Sequence, residues 1–427
     1  MLDFLSQKMK AIGEPSAAVK VLKFVREKGT TSQTEIARSC QLSKAAVSEV
    51  VQRLLADGYL QEVGMSSSTS SGGRRRVLLK FNSLSGLVIG VDVKISSATL
   101  ALSDLDATIL SKREIKFPKG ATPPDVIPML VKAAHEILLA KPQSSGSLIG
   151  IGIGIPGIID YSTGTLVVAD TLKGWDGVSI TQMFESHFGC AAYVENDVKS
   201  MTIAEYLLGI AKGVQNFVLL WVGSGVGAGI MVDGRLLRGV TSSAGEIGYN
   251  DLGFSVGNGS NFPLLYNGQK DFGDLLSEDS IVDAYVRAAG NKIAEPPSFE
   301  TILDLGSKGD VVAENIFREM GRVVGIMSIM LANTLNPELI VLGGSVIDSN
   351  PQVLREVSEF MSRDILPTPV QSVRIEPAHY KADEVLLGAI GLILYELFEP
   401  AMPLMIMKQR PRKVSEPRAT RVLGQGV

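Results

Sequence analysis

Apolar positions change their period along this chain. From about Ser16 to Lys28 they fall at Val19, Leu22 and Val25, the spacing of one helix face, and Gly29 supplies a stop. Residues 31–60, TSQTEIARSCQLSKAAVSEVVQRLLADGYL, repeat that period in two short bursts with a tight turn between them. The first opens on a capping box, with Ser32 accepting from the N–H at position 35 and Glu35 reaching back. The second opens at Ser43, a good N-cap, and turns Val47, Val50, Val51 and Leu54 inward. Lys44, Ala45, Ser48, Glu49 and Gln52 are left facing outward. The pattern then shifts to strands at Tyr59–Val63 and Val77–Phe81. Between them lies a Ser/Gly run too polar to pack, which reads as a mobile hairpin tip.

Three helices and a hairpin make a winged helix-turn-helix. Small residues at the start of the third helix let it approach base edges in a major groove, which puts Ser43, Lys44, Ala45 and Ser48 on the candidate DNA face. Arg74, Arg75 and Arg76 beside the hairpin tip suit phosphate or minor-groove contact. A solvated basic linker is the alternative for that stretch.

From about Leu84 the apolar residues come in continuous runs. SGLVIGVDVKISSATLALSD (85–104) reads strand, turn, strand, and NFVLLWVGSGVGAGIMVDG (216–234) reads the same way. This echo predicts two similar α/β lobes facing a cleft, a natural ligand site. Glycines within Ile149–Asp160 either let backbone approach a ligand or make tight strand ends in a packed sheet. Ile316–Leu335 predicts a long helix apolar on more than one face, either a lobe core or a subunit interface. It ends at Asn336–Pro337 and feeds a strand at Leu339–Leu342.

Length and charge sharpen this division. The 427 residues have room for two or three domains. The boundaries fall at 1–82 for the winged head, 83–400 for the two-lobed body and 401–427 for a basic tail expected to be disordered. The net charge of −4 hides an asymmetry. Residues 1–80 hold 13 lysines and arginines against 7 acidic residues, whereas the other 347 hold 28 against 38. A basic head on an acidic body suits a DNA reader with a separate regulatory domain. The two cysteines, Cys40 and Cys190, offer no disulfide framework, and no secretory segment opens the chain. The apolar stretch Val385–Leu397 is too short to span a bilayer. A cytoplasmic location with no membrane partner is the expectation.

Several motifs in order carry a family resemblance: GGRRRVLLKFN after the wing, GIGIGIPGIID at 150–160, ENDVKSMTIAE at 195–205, VGSGVGAGIMVDGRLLRG at 222–239 and AGEIGY at 244–249. Together they resemble the ROK family (repressors, open reading frames, kinases), most of all its repressor branch, over about residues 15–400. The resemblance implies two actin-like, hexokinase-like lobes with a sugar in the cleft. It places Asp197 at the family's catalytic-base position, Asn196 and Glu246 at sugar contacts, and Gly157, Tyr249 and, loosely, Asp274 beside them. Carboxylates read sugars well because each accepts from two hydroxyls. On the residues alone, Asn196–Asp197 also reads as a helix N-cap before VKSMTIAEYLL.

Three departures from the family pattern decide the function expected. Family kinases cradle ATP phosphate in a glycine-rich turn, but the turn here, Asp92 to Ser96, lacks both glycines and puts Lys94 and Ile95 in that space. The second loop, Gly223–Gly227, survives. Many relatives follow Gly-Glu-Ile-Gly with His and a cysteine cluster that binds zinc. Tyr249 stands where that His would be, and no cysteine follows Cys190, so no metal and no cofactor are expected. Trp175 either caps a sugar ring or packs; His135, His187 and His379 show no ligand spacing. These features predict a sugar-responsive repressor of carbohydrate-use genes, a homodimer or higher homo-oligomer, with operator DNA and a sugar as partners. A sugar kinase with an appended DNA-binding head, with Asp197 as its base, is the alternative.

Overall fold

The head forms around the predicted apolar stripe. In the computed structural model the described residues are 17–65, 75–223, 225–252, 262–290, 295–364, 373–380 and 383–398. Helix α1 (Ala17–Lys28) buries Val19, Val21, Leu22 and Val25 and stops at Gly29, whose φ is +81°. A three-residue strand, β1 (Thr30–Ser32), follows, then α2 (Gln33–Ser39) and α3 (Lys44–Ala56). Val21, Leu22, Val25, Ile36, Val47, Val51 and Leu54 close one core with Tyr59, Leu79 and Phe81. The hairpin is β2 (Leu60–Met65) and β3 (Val77–Phe81), and the sheet order is β1-β3-β2. This is a winged helix-turn-helix.

One local expectation needs correction. The capping box at Ser32 does not form. Ser32 is the last residue of β1, opposite Leu78, and its side chain makes no cap bond. Strand pairing turns it away from the helix end, and Glu35 accepts instead from the Thr31 hydroxyl at 3.0 Å. The cap at Ser43 does form, its oxygen accepting from the Ala46 N–H at 3.1 Å. Arg74 and the hairpin tip lie outside the described residues.

The body repeats one topology twice. Its first sheet is built from β4 (Gly86–Val93), β5 (Ser97–Asp104), β6 (Ile109–Lys116), β7 (Ser147–Ile155) and β11 (Ala191–Asn196), in the order β11-β7-β4-β5-β6. Helix α4 (Pro123–Leu139) covers one face. A small sheet, β8 (Ile158–Asp160), β9 (Thr165–Val168) and β10 (Val178–Ser179), leads to α5 (Ile180–Phe188). Helix α6 (Asp197–Leu207) leaves the end of β11. The second sheet joins β12 (Phe217–Val222), β13 (Val226–Val232), β14 (Arg235–Leu236), β15 (Leu339–Gly343) and β16 (Arg374–Pro377), in the order β14-β13-β12-β15-β16. Each sheet is an antiparallel meander with two parallel strands added at the first strand's other edge. The sequence echo is therefore a repeated fold.

Helices α7 (Phe272–Leu275), α8 (Glu278–Ala289), α9 (Phe299–Ser307), α10 (Val311–Leu335), α11 (Ser345–Ser349) and α12 (Pro351–Asp364) belong to the second lobe. The long helix starts five residues earlier than its apolar pattern because Asp310 caps it, and it ends in left-handed Asn336. Ile316, Phe317, Met320, Val323, Val324 and Met327 lie in the lobe core, the first of the two readings of that helix.

The last helix, α13 (Glu384–Phe398), ties the molecule together. It is apolar on nearly every side because every side is covered. Gly90 and Gly152 of the first sheet and Gly388 of α13 itself give backbone-close contacts: a Cβ at Gly152 would strike the Ala389 carbonyl, and one at Gly388 the Ser200 carbonyl of α6. Leu394, Leu397 and Phe398 join the core of the winged head. Phe398 meets Phe81 edge-on at 6.0 Å, and the Arg26 guanidinium lies 4.7 Å above its ring while pairing with Asp106 at 2.8 Å. Among the described residues no helix is long and apolar enough to cross a membrane. Gly388→Ala is expected to cost about 1–3 kcal/mol through overpacking, read as a lower midpoint in chemical denaturation; a wild-type midpoint would show that the two helices separate freely.

Candidate ligand cleft and nucleic-acid interface

The end of β11 sets the candidate cleft. Asn196 caps α6, its Oδ1 accepting from the Lys199 N–H at 3.1 Å, while its Nδ2 donates to the Gly157 carbonyl at 3.1 Å. The cap reading of this residue holds, and the same side chain fixes the loop after β7. Gly157 has φ +119°, and a Cβ there would press on the Val168 carbonyl, so glycine is required. Asp197 opens the helix with Oδ1 accepting from the Val198 N–H at 2.8 Å. Burial lifts its carboxyl above the ordinary range; the Val198 bond opposes this, and the nearby Glu246 charge adds to it.

Lys199 is the residue that sequence reasoning passed over. It is 2% exposed, yet its Nζ donates to the Ser242 carbonyl at 2.9 Å and lies 3.8 Å from Glu246 Oε1. The ammonium thus holds the loop that presents Glu246 against the helix that presents Asp197. Burial raises the Glu246 carboxyl, Lys199 opposes the rise, and Asp170 adds to it. A lysine two residues after an Asn-Asp cap was the available signal.

Tyr249 is 64% exposed, and its hydroxyl donates to Asp170 Oδ2 at 2.6 Å. The bond joins the second lobe to the segment after β9 in the first. It also moves the Tyr249 hydroxyl up to about 12, chiefly because Asp170 accepts its proton in the hydrogen bond. Asp170 is a second residue the sequence did not single out. Asp274 is exposed on α7, and its carbonyl accepts the Ser277 and Ser280 hydroxyls. The acidic charges felt by Tyr249 are those of Asp170, then Glu246 and last Asp271. Trp175 is 3% exposed within the first-lobe core, so the idea that it caps a sugar ring is withdrawn in favour of packing.

Within reach of the Asp197 charge, the turn after β4 carries its own ion pair. Asp92 is 5% exposed, and the Lys94 ammonium lies 3.4 Å from its Oδ2. Lys94 is therefore engaged by a carboxylate. Glu384, the first residue of α13, is 7% exposed and its Oε1 has no hydrogen-bond partner. Burial, then the charges of Asp348 and Glu205, push its carboxyl up to about 8. Ser345 Oγ beside Gly223 is likewise unpartnered. The zinc cluster of many relatives does not fit this chain. Tyr249 is no zinc ligand of that kind, and among the described residues no group of His, Cys, Asp and Glu could hold a metal.

On the head, Lys44 and Ala45 are exposed at the start of α3, and Ser48 is half-exposed. The Ser43 oxygen serves the cap. Arg75 and Arg76 are exposed where the chain enters β3.

The model of the ROK family matches residues 88–396. The chain belongs to the ROK family. A winged helix-turn-helix DNA-binding model matches residues 18–61, ahead of the ROK region. The xylose repressor of Bacillus spizizenii is 27% identical over 374 residues, which span 88% of this chain and 94% of that one. The DNA-binding transcriptional dual regulator NagC of Escherichia coli is 25% identical over 382 residues, 87% of this chain and 91% of its own. Among solved structures, a ROK family transcriptional regulator, homolog of the E. coli MLC protein, superposes with a TM-score of 0.75 at 22% identity, covering 89% of this chain and 96% of that one. A ROK family glucokinase from Streptomyces griseus gives 0.56 at 23% identity, covering 72% and 99%. The fold is shared with both a regulator and a kinase.

Glu384 yields a pH prediction. Its folded carboxyl titrates near 8 against 4.5 for the ordinary group. The folded state therefore holds more protons between those values, and stability falls as pH rises through that window. Glu384→Gln is expected to match wild type near pH 5 and to exceed it at pH 8 by a few kcal/mol at most. Parallel denaturation curves at both pH values would refute the assignment.

Proposed function

We infer that this ROK chain is a DNA-binding transcriptional regulator, a repressor of carbohydrate-use genes, whose operator affinity is set by a sugar held between its two lobes. One conjunction carries the reading: a winged head on a cleft that keeps Asn196, Asp197 and Glu246 together while its phosphate end is lined with acid. The regions divide as a head over 1–82, a sugar-binding body over 83–400 and a basic tail over 401–427. Asn196, Asp197, Glu246 and Gly157 present hydrogen-bonding groups to the sugar; Tyr249 and Asp274 flank them. Asp197 and Glu246, both held toward protonation by burial, can donate as well as accept.

Phosphoryl transfer needs a cradle of N–H groups and cations around the transferred phosphate. Here that region carries Asp92, Glu384 and the neighbouring Asp348 charge, with Lys94 drawn onto Asp92. A triphosphate entering would meet the Asp92 and Asp348 carboxyls and a buried Glu384 that supplies no cation, and this supports binding without catalysis as the function of the cleft. The kinase reading retains one observation in its favour: the position of Asp197 and the second glycine loop. ADP release in the presence of a hexose, pentose or amino sugar would establish it.

The regulator acts as a homodimer or higher homo-oligomer that holds two heads at half-sites about one DNA turn apart, roughly 34–36 Å. Lys44, Ala45 and Ser48 meet base edges, and Arg74, Arg75 and Arg76 meet the backbone or minor groove. Sugar shifts DNA affinity only by the difference in its own affinity for the two arrangements of the lobes. Two substitutions separate the parts. Asp197→Ala is expected to abolish the sugar response in gel-shift titration while leaving DNA binding within about twofold. Arg75→Ala is expected to weaken binding on all sequences and lower the salt slope by about one. Operator binding unchanged by every sugar tried would overturn the allosteric reading.

A further inference from the structure

A continuous line of polar and aromatic contacts runs from the cleft to the head. It begins at Asn196, whose N–H donates to Glu195 Oε1 at 3.0 Å. Glu195 is 1% exposed, and its other oxygen accepts from Arg238 Nε at 2.7 Å. The Arg238 guanidinium also lies 3.6 Å above the Tyr161 ring. The Tyr161 hydroxyl donates to Glu396 Oε1 at 2.6 Å. Glu396 belongs to the last turn of α13, two residues before Phe398, the ring that meets Phe81 and Arg26 of the winged head.

The line crosses between the two lobes at its middle. Arg238 follows β14 in the second lobe, whereas Glu195 and Tyr161 belong to the first. Tyr161 also stands four residues from Gly157, with only β8 between them, and Gly157 is pinned by Asn196 at the cleft. Any change in the angle between the lobes, or in the Asn196–Gly157 bond, must alter how Arg238 sits on Tyr161. Arg238 has capacity for a second arrangement, since its Nη2 is buried and makes no hydrogen bond. A guanidinium carries five N–H donors in a fixed fork, so rotating it exchanges one set of partners for another.

We propose that Arg238 and Tyr161 are the positioning residues that pass cleft occupancy to the DNA-binding head through the Tyr161–Glu396 hydrogen bond and the end of α13. Neither residue touches the sugar. Their part is to make the head's seat on Phe398 depend on lobe closure. This rests on the sugar-responsive reading above and adds the route of the response.

The test uses the full-length protein with a DNA fragment that the wild type selects from a random-sequence pool. DNA affinity is measured by fluorescence anisotropy with and without D-xylose, D-glucose or N-acetyl-D-glucosamine, and sugar affinity by calorimetry. Tyr161→Phe keeps the ring under Arg238 and removes only the hydroxyl; Glu396→Gln keeps an acceptor at Oε1. The proposal expects Tyr161→Phe to bind sugar within about threefold of wild type, yet to lose most of a sugar-linked change in DNA affinity that is typically about 5–150-fold. Glu396→Gln is expected to keep that change. Arg238→Lys, which retains charge but loses the planar fork, is expected to resemble Tyr161→Phe. A Tyr161→Phe protein with the full wild-type change overturns the route alone. So does one whose response falls only in proportion to its sugar affinity. A wild-type protein indifferent to every sugar overturns the underlying reading and the route with it.

Discussion

At Gly388 no side chain fits between α13 and α6. Gly388 brings the two backbones together at Ser200, and Gly391 packs a turn later against Ile203. This contact fixes much else. Helix α6 begins at Asn196 and Asp197, so its position is the position of the candidate sugar contacts. Helix α13 also lies on β4 and β7 through Gly90 and Gly152, and its far end enters the core of the winged head. One apolar helix therefore serves as wall of the first lobe, backing of the cleft and seat of the DNA-binding module. Interiors packed at this density move as units and do not deform smoothly. On this packing a shift of α6 would be carried toward the head.

Electrostatics divides the cleft into two halves. Around Asp197 and Glu246 a buried lysine offsets part of the acid charge, and the remaining carboxyls sit above their ordinary range. Groups in that condition exchange hydrogen bonds with uncharged hydroxyls at little desolvation cost. Within reach of the Asp197 charge, Lys94 is engaged by Asp92, and Glu384 is held near neutrality by burial and by neighbouring acids. Polyanions find no complement there. The lobes share their fold with a regulator and with a kinase, and in the turn after β4 Lys94 is engaged by Asp92.

Legibility in the sequence followed the physics of each feature. The winged head was plain because helical periodicity and the Ser43 cap are local signals. The repeated sheets were plain from two matching strand–turn–strand runs. Strand β1 was not, since three residues without alternation leave no pattern, and its pairing with β3 is what diverted Ser32 from the cap it seemed to offer. In the candidate cleft, Asn196, Asp197 and Glu246 were expected from motifs, and Lys199 and the electrostatics link them in the fold. Lys199 and Asp170 were missed because their meaning depends on contacts with Ser242, Glu246 and Tyr249, dozens of residues away in sequence. Trp175 was left open between capping a sugar ring and packing, and only the fold shows it buried. The Glu195–Arg238–Tyr161–Glu396 line joins four distant segments and has no sequence signature at all.

The central claim is that the sugar cleft and the DNA-binding head are two sites on one coupled body. Thermodynamic linkage makes this measurable from either side. The most direct measurement is calorimetric titration of the responsive sugar into the free protein and into the protein saturated with its selected DNA. The account predicts two different affinities, their ratio equal to the factor by which that sugar changes DNA affinity. Identical sugar affinities with and without DNA would contradict it.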